Sequence, residues 1–186
     1  MKLILLTKPE FFCGEAEIIN RLFCHGLPLL HLRKPKATNE EKEALVAQIE
    51  PQFRDRIVMH NHEAHSCHTL EEVCRNKLHS DYVFLSPIFD SISKQGYKAA
   101  FSEELLHEAH IAGIIDERVI ALGGITPTNA RKALSLGFGG VAVLGDVWQN
   151  ADPVSRRKTA APGAQASGAV FLAFSSSRAY NGARNE

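Results

Sequence analysis

Short apolar runs rich in branched side chains recur along the chain, most of them far enough apart for a helix to fit between one and the next. They are Leu3 to Thr7, Leu27 to Leu32, Arg56 to His60, Tyr82 to Ser86, Val119 to Gly123 and Gly140 to Gly145. All but the third are apolar almost throughout, the pattern of strands covered on both faces rather than half solvated. Such runs alternating with helix-patterned segments predict an α/β protein built on a parallel sheet.

The intervening segments carry helix start and stop signals. Thr38-Asn39-Glu40-Glu41 and Thr69-Leu70-Glu71-Glu72 fit the capping box, in which a threonine oxygen and a glutamate satisfy free amide donors reciprocally. Thr126-Pro127 puts a capping hydroxyl before a proline at a first helical position. Gly26 ends the helix of Ile18, Ile19, Leu22 and Phe23, and Gly137 ends that of Ala130, Ala133 and Leu134.

Two regions break this rhythm. The stretch from His60 to Thr69 is too short and polar for a crossover helix and further complete strands. From Ser155 onward the chain is of low complexity, with Val170 to Phe174 its one apolar patch. The expected organisation is a barrel domain over 1–154 followed by a disordered or partly ordered tail over 155–186.

With 186 residues, 45% of them hydrophobic, the chain can bury one sizeable core. Its 21 basic residues balance 21 acidic ones, so no global field draws it to nucleic acid or a membrane surface. The apolar start stops at Lys8-Pro9-Glu10 without a cleavage-site pattern, and reads as a strand rather than a signal peptide. Cys13, Cys24, Cys67 and Cys74 form no Cys-x-x-Cys pair, which suits a reducing cytoplasm. Cys13, Cys24 and Cys74 are expected to pack within helices, and Trp148 to lie in the core.

Ligands of parallel α/β folds collect at the carboxyl ends of strands. The last two runs both finish on glycine, at Gly123-Gly124 and Gly145, leaving amides that no β-carbon covers. Two such ends late in the chain match the phosphate site of many (β/α)8 barrels, so a phosphorylated small molecule is the expected ligand. Either glycine turn alone would be a tight turn and nothing more. Arg33 follows Leu32 at another strand end, where a guanidinium can grip an oxyanion with two parallel hydrogen bonds. His31 and Arg33 alternate with Leu30 and Leu32 and so share a side, which in a barrel is the lumen.

Taken in order, five segments resemble the thiamine phosphate synthase and TenI family: "LHLRKP", "SCHTLEEV", "DYVFLSPIFDSISK", "ALGGITPTNA" and "GFGGVAVLGDVW". The resemblance covers roughly residues 1 to 154. It implies a TIM (β/α)8-type barrel that joins a hydroxymethylpyrimidine diphosphate to a thiazole phosphate in thiamine biosynthesis, releasing pyrophosphate. It further implies that Arg33 and Lys94 hold the diphosphate and that Ser91 and Ser93 meet the thiazole phosphate. Gly123, Gly124 and Gly145 would offer that phosphate their amides, with Ser66 and His68 near the pyrimidine and the leaving group. His31, His60 and Asn61 complete the implied substrate contacts.

The departures from the family are specific. Its synthases hold Mg²⁺ with an Asn-Asp pair after strand three and an aspartate after strand four. Here the first place reads His60-Asn61-His62, and the fourth strand is missing, so no metal ligands are assigned and the barrel is expected to lack about one β/α unit. The abrupt junction from His62 to Ser66 points to an internal deletion. Pro35 stands where a lysine belongs, with Lys34 as its possible substitute. Pro87 stands where thiazole tautomerases of the TenI branch place their acid-base histidine. The alternatives are therefore such a tautomerase or an inactive phosphate-binding homologue. A further rival is a metal-dependent hydrolase using the cluster of His60, His62, His65, Cys67 and His68, which would lack acids at later strand ends beyond Asp90 and Asp146.

Overall fold

The computed structural model describes residues 2–59, 66–90, 98–144 and 147–148. Seven parallel strands form one sheet: β1 Lys2–Leu6, β2 Leu29–Leu32, β3 Ile57–Met59, β4 Ser66–Cys67, β5 Val83–Leu85, β6 Val119–Ala121 and β7 Gly140–Val143. Among the described residues five α-helices lie between them: α1 Glu15–Cys24, α2 Asn39–Ala47, α3 Leu70–Asn76, α4 Glu103–Ile111 and α5 Ala130–Ser135, with a 3-10 turn at Pro51–Arg56. No helix among the described residues is long and apolar enough to cross a membrane.

The strand order is β3-β2-β1-β7-β6-β5-β4. First and last strands of the chain pair side by side, as in a (β/α) barrel, and the ring is interrupted at one place only among the described residues, between β3 and β4. Parallel neighbours need a crossover of about a dozen residues or more. Residues 60–65 are too few to supply one, so β3 and β4 remain the two edges. This is the incomplete barrel expected from the sequence, short of one β/α unit. Burial reports the missing neighbour: β3 is the one strand with no fully buried residue, and Met59 is 47% exposed.

Alternation along the strands sorts the core into two clusters. Leu3, Leu5, Leu30, Leu32, Val83, Leu85, Val119, Ala121, Val141 and Val143 face the helices, against Ile18, Ile19, Leu22, Phe23, Leu106 and Ala133. Ile4, Leu6, Phe84, Ile120 and Ala142 fill the lumen, with Leu29, Tyr82, Leu122 and Leu144 packed on them. Each fully buried aliphatic or aromatic side chain contributes about 1.5–3 kcal/mol. The lumen is a packed core rather than a channel.

The predicted caps are present with differences. Thr38 accepts from the Glu41 amide and Glu41 accepts from the Thr38 amide, a complete capping box. Thr69 accepts from the Glu72 amide, but the Glu72 carboxylate turns to the amide of His68. The Thr126 hydroxyl accepts from the Asn129 amide, and α5 proper starts at Ala130. Gly26 and Gly137 both have positive φ just past their helices.

Several sequence expectations need correction. β2 starts at Leu29 rather than Leu27, after Pro28, which has no amide to give a ladder. Arg56 closes the 3-10 turn instead of opening β3. The stretch before Thr69 does hold a strand, β4, whose two residues carry a hydroxyl and a thiol and are held by pairing with β5. Cys13, Cys24 and Cys74 are exposed rather than packed: Cys13 lies in the turn before α1, and α1 and α3 turn other residues inward. Trp148 is buried as expected, and its indole N–H donates to the Leu6 carbonyl at 2.6 Å. The 155–186 tail lies outside the described residues.

Candidate functional site

β2, β4 and β6 hand over to Arg33, His68 and Gly123-Gly124 at their carboxyl ends. The peptide of Arg33 is fixed by Thr7, the residue after β1, whose hydroxyl is fully buried. The Arg33 amide donates to Thr7 Oγ1 at 2.8 Å, and that hydroxyl donates to the Arg33 carbonyl at 3.2 Å. The half-buried Arg33 guanidinium itself has no hydrogen bond or ion pair among the described residues.

Lys34 is corrected. It does not stand in for the missing phosphate-binding lysine. Its ammonium donates to Glu15 Oε1 at 2.7 Å, to Glu15 Oε2 at 2.8 Å and to the Glu10 carbonyl at 2.8 Å, beneath the Phe11 ring. Both partners are 2% exposed, so all three protons are taken inside the protein. Burial pushes the Glu15 carboxyl above its usual range and the Lys34 ammonium below its own, each opposed by the other's charge.

His31 faces the lumen, as the alternation requires, but lies within β2 rather than beyond it. It is wholly buried, edge-on to Phe84, with Nε2 2.5 Å from the Tyr82 hydroxyl. Burial, then the charge of Asp81, pushes the Tyr82 phenol up to about 12. A phenol protonated throughout the neutral range can donate to the Nε2 lone pair, leaving the His31 proton on Nδ1. Sequence reasoning missed Tyr82 as the partner of His31. The available signal was a phenol at the entrance of an otherwise apolar buried strand.

Ser66 pairs in register with lumen-facing Phe84 and so shares that face, half-buried at the start of the edge strand β4. His68 lies above it, exposed, with Nδ1 3.0 Å from the Ser86 carbonyl. A carbonyl only accepts, so Nδ1 is the donor in that bond, and Nε2 is the ring nitrogen it leaves uncommitted.

Gly123 and Gly124 have φ of 90° and 66°, and both press against the loop after β5. A β-carbon on Gly123 would come within 2.8 Å of Pro87 Cα, and one on Gly124 within 2.5 Å of the carbonyls of Phe89 and Asp90. Their own carbonyls are used: Phe89 N donates to Gly123, and the Asn129 side chain donates to Gly124 at 2.8 Å. Among the described residues the amides of Gly123, Gly124 and Ile125 donate to nothing. Three consecutive donors without acceptors at a strand end can bind an anion.

Asp90, an acid at a strand end in the metal-hydrolase reading, works as a clasp. Its Oδ1 accepts from the Ala99 amide at 2.7 Å, while Ala100 N donates to the Pro87 carbonyl. These bonds join the two feet of the segment that carries Ser91, Ser93 and Lys94. Those three residues, with His60, Asn61, His62, His65, Gly145 and Asp146, lie outside the described residues. Among the described residues no three His, Cys, Asp or Glu side chains converge as a metal site.

The family model for thiamine monophosphate synthase matches residues 62–147. Thiamine-phosphate synthase from Actinobacillus succinogenes is 36% identical over 89 residues, 47% of this chain and 40% of the relative. That from Bacillus velezensis is 30% identical over 146 residues, 78% of this chain and 58% of the relative. A solved structure of thiamine phosphate pyrophosphorylase from Bacteroides thetaiotaomicron is 34% identical with a TM-score of 0.79, covering 97% of this chain and 99% of that one. The chain belongs to the thiamine monophosphate synthase family. The corresponding protein of Pyrococcus furiosus, at 18% identity and a TM-score of 0.66, shares the fold. This family member spans only about two fifths to three fifths of the curated relatives it matches.

Proposed function

We propose that the chain is a thiamine-phosphate synthase-like transferase acting on two small phosphorylated substrates in the cytoplasm. The observation that carries this reading is the set of unoccupied donors at the carboxyl ends: the amides of Gly123, Gly124 and Ile125, and the guanidinium of Arg33. The thiazole phosphate sits on the three amides, with Ser91, Ser93 and Gly145 as further donors. The pyrimidine diphosphate is held by Arg33 and Lys94. The C–O bond to the diphosphate breaks with its electron pair leaving on pyrophosphate, and the thiazole nitrogen lone pair closes the new C–N bond on the methylene carbon. No proton needs to leave. Positive charge at Arg33 and Lys94 stabilises the oxygens on which charge develops. His68, its Nδ1–H committed to Ser86, stands near the pyrimidine and the leaving group, with Nε2 the ring nitrogen left for a substrate contact.

Magnesium is the family's expected cation, and where bound it would supply positive charge to the leaving diphosphate. The residues of this chain do not fit it well. Asp90 is engaged with Ala99, Glu15 is engaged with Lys34, and the segment that would bring the second aspartate is missing. No step is assigned to the metal here. That mismatch favours a second reading, a homologue that binds the thiazole phosphate and performs no transfer.

Incubation with both precursors, with and without Mg²⁺, separates the two. Thiamine phosphate and pyrophosphate above a no-enzyme control, abolished by Arg33→Ala and Lys94→Ala, are the expected result. Saturable thiazole phosphate binding without product would establish the second reading and defeat the first.

A further inference from the structure

We propose that the buried Glu15–Lys34 ion pair is the positioning device for Arg33, and through it for the diphosphate subsite; the proposal rests on the reading of Arg33 given above. Lys34 follows Arg33 directly, and alternation sends the two side chains to opposite sides of the β2 end. Among the described residues one guanidinium is left without a protein partner while the neighbouring ammonium is sealed with three acceptors, two of them on the first residue of α1. The Arg33 peptide is meanwhile held on both sides by the Thr7 hydroxyl. The loop after β2 is thereby tied at consecutive residues to the end of β1 and to the start of α1.

A buried ion pair is a poor means of gaining stability, since desolvation offsets its attraction and apolar residues of similar size often do as well. What it supplies is geometry: the two carboxylate oxygens and the Glu10 carbonyl fix the direction of the lysine stem. Glu15 sits at the end of a loop rich in aromatic residues, and the pair, together with the bond to the Glu10 carbonyl, ties that loop to Lys34. The Arg33 guanidinium accordingly leaves a backbone that is fixed before any anion arrives, which spares the ordering that binding would otherwise require.

The test uses the full chain and two probes, inorganic pyrophosphate and the thiazole phosphate, titrated by calorimetry. In the double variant Glu15→Met/Lys34→Met the fold and melting temperature are retained, the pyrophosphate Kd rises by about tenfold, and the thiazole phosphate Kd stays unchanged, since a displaced group loses affinity only at its own subsite. Should that variant not fold, Glu15→Gln, which keeps acceptors for Lys34, gives the same selective rise to a smaller degree. Unchanged pyrophosphate affinity in a folded variant, or equal loss for both probes, overturns the positioning role. Arg33→Ala in parallel must weaken pyrophosphate binding. If it does not, the subsite reading itself fails, and that failure is distinct from one in which Arg33 matters and the pair does not.

Discussion

At the scale of single residues, the phenol of Tyr82 makes a sharp prediction. Its folded pKa is raised from 10 to about 12, so the folded chain keeps a proton that the unfolded chain loses. The stability this contributes is complete below pH 10 and is lost as the pH rises toward 12. A spectrophotometric titration of phenolate should show one of the three tyrosines ionising late, with Tyr82→Phe removing that phase. Tyr82→Phe also deprives the buried His31 of a partner and should lower stability by about 1–3 kcal/mol in a urea titration. Gly124→Ala belongs to the same scale. Its β-carbon would meet two carbonyl oxygens at 2.5 Å in a backbone region that L residues rarely adopt, so the variant should lose thiazole phosphate binding and at least about 1 kcal/mol of stability.

Among the elements, the helix entries that the sequence made legible are those whose caps are local. Thr38 and Glu41 satisfy each other across three residues, and Thr38→Ala should cost about 1 kcal/mol by thermal denaturation. β4 was not legible because Ser66 and Cys67 have no strand pattern of their own and are strand only by virtue of β5. The role of Lys34 was hidden for a related reason: its partner Glu15 is brought to it by packing across α1 and β2, and no spacing rule announces it. A comparable long-range tie joins Lys77, after α3, to Asp116, before β6, at 2.6 Å, with two carbonyls completing the ammonium. Partial burial raises the Asp116 pKa, and the bonds from Lys77 and Arg118 outweigh it, leaving the carboxyl below its usual range. A depressed acid contributes stability that is present above its unfolded pKa and is lost as the pH falls through the folded value. Lys77→Met should therefore flatten the acid limb of the stability curve.

For the whole molecule, the order of strands is that of a ring with one member absent, and the first and last strands of the sheet still pair although Lys2 and its partner Gly140 lie far apart in sequence. The ends of β6 and β7, where the phosphate site is proposed, lie away from the interruption. The cation-binding arc, which the family builds after strands three and four, lies at it. That asymmetry explains why the anion site was readable from glycines and an arginine, while the metal site was readable only as a departure. It also predicts uneven protection: amides of β3 and β4 should exchange hydrogen about tenfold faster or more than those of β1, β6 and β7, as edges of a sheet do. Uniform protection across the seven strands would mean that the ring is closed. The central claim, that this open barrel keeps a working anion site at the carboxyl end of β6, is tested most directly by titrating thiazole phosphate into ¹⁵N-labelled protein. The amide resonances of Gly123, Gly124 and Ile125 should move together and saturably, whereas a titration that leaves all three in place while others shift would contradict it.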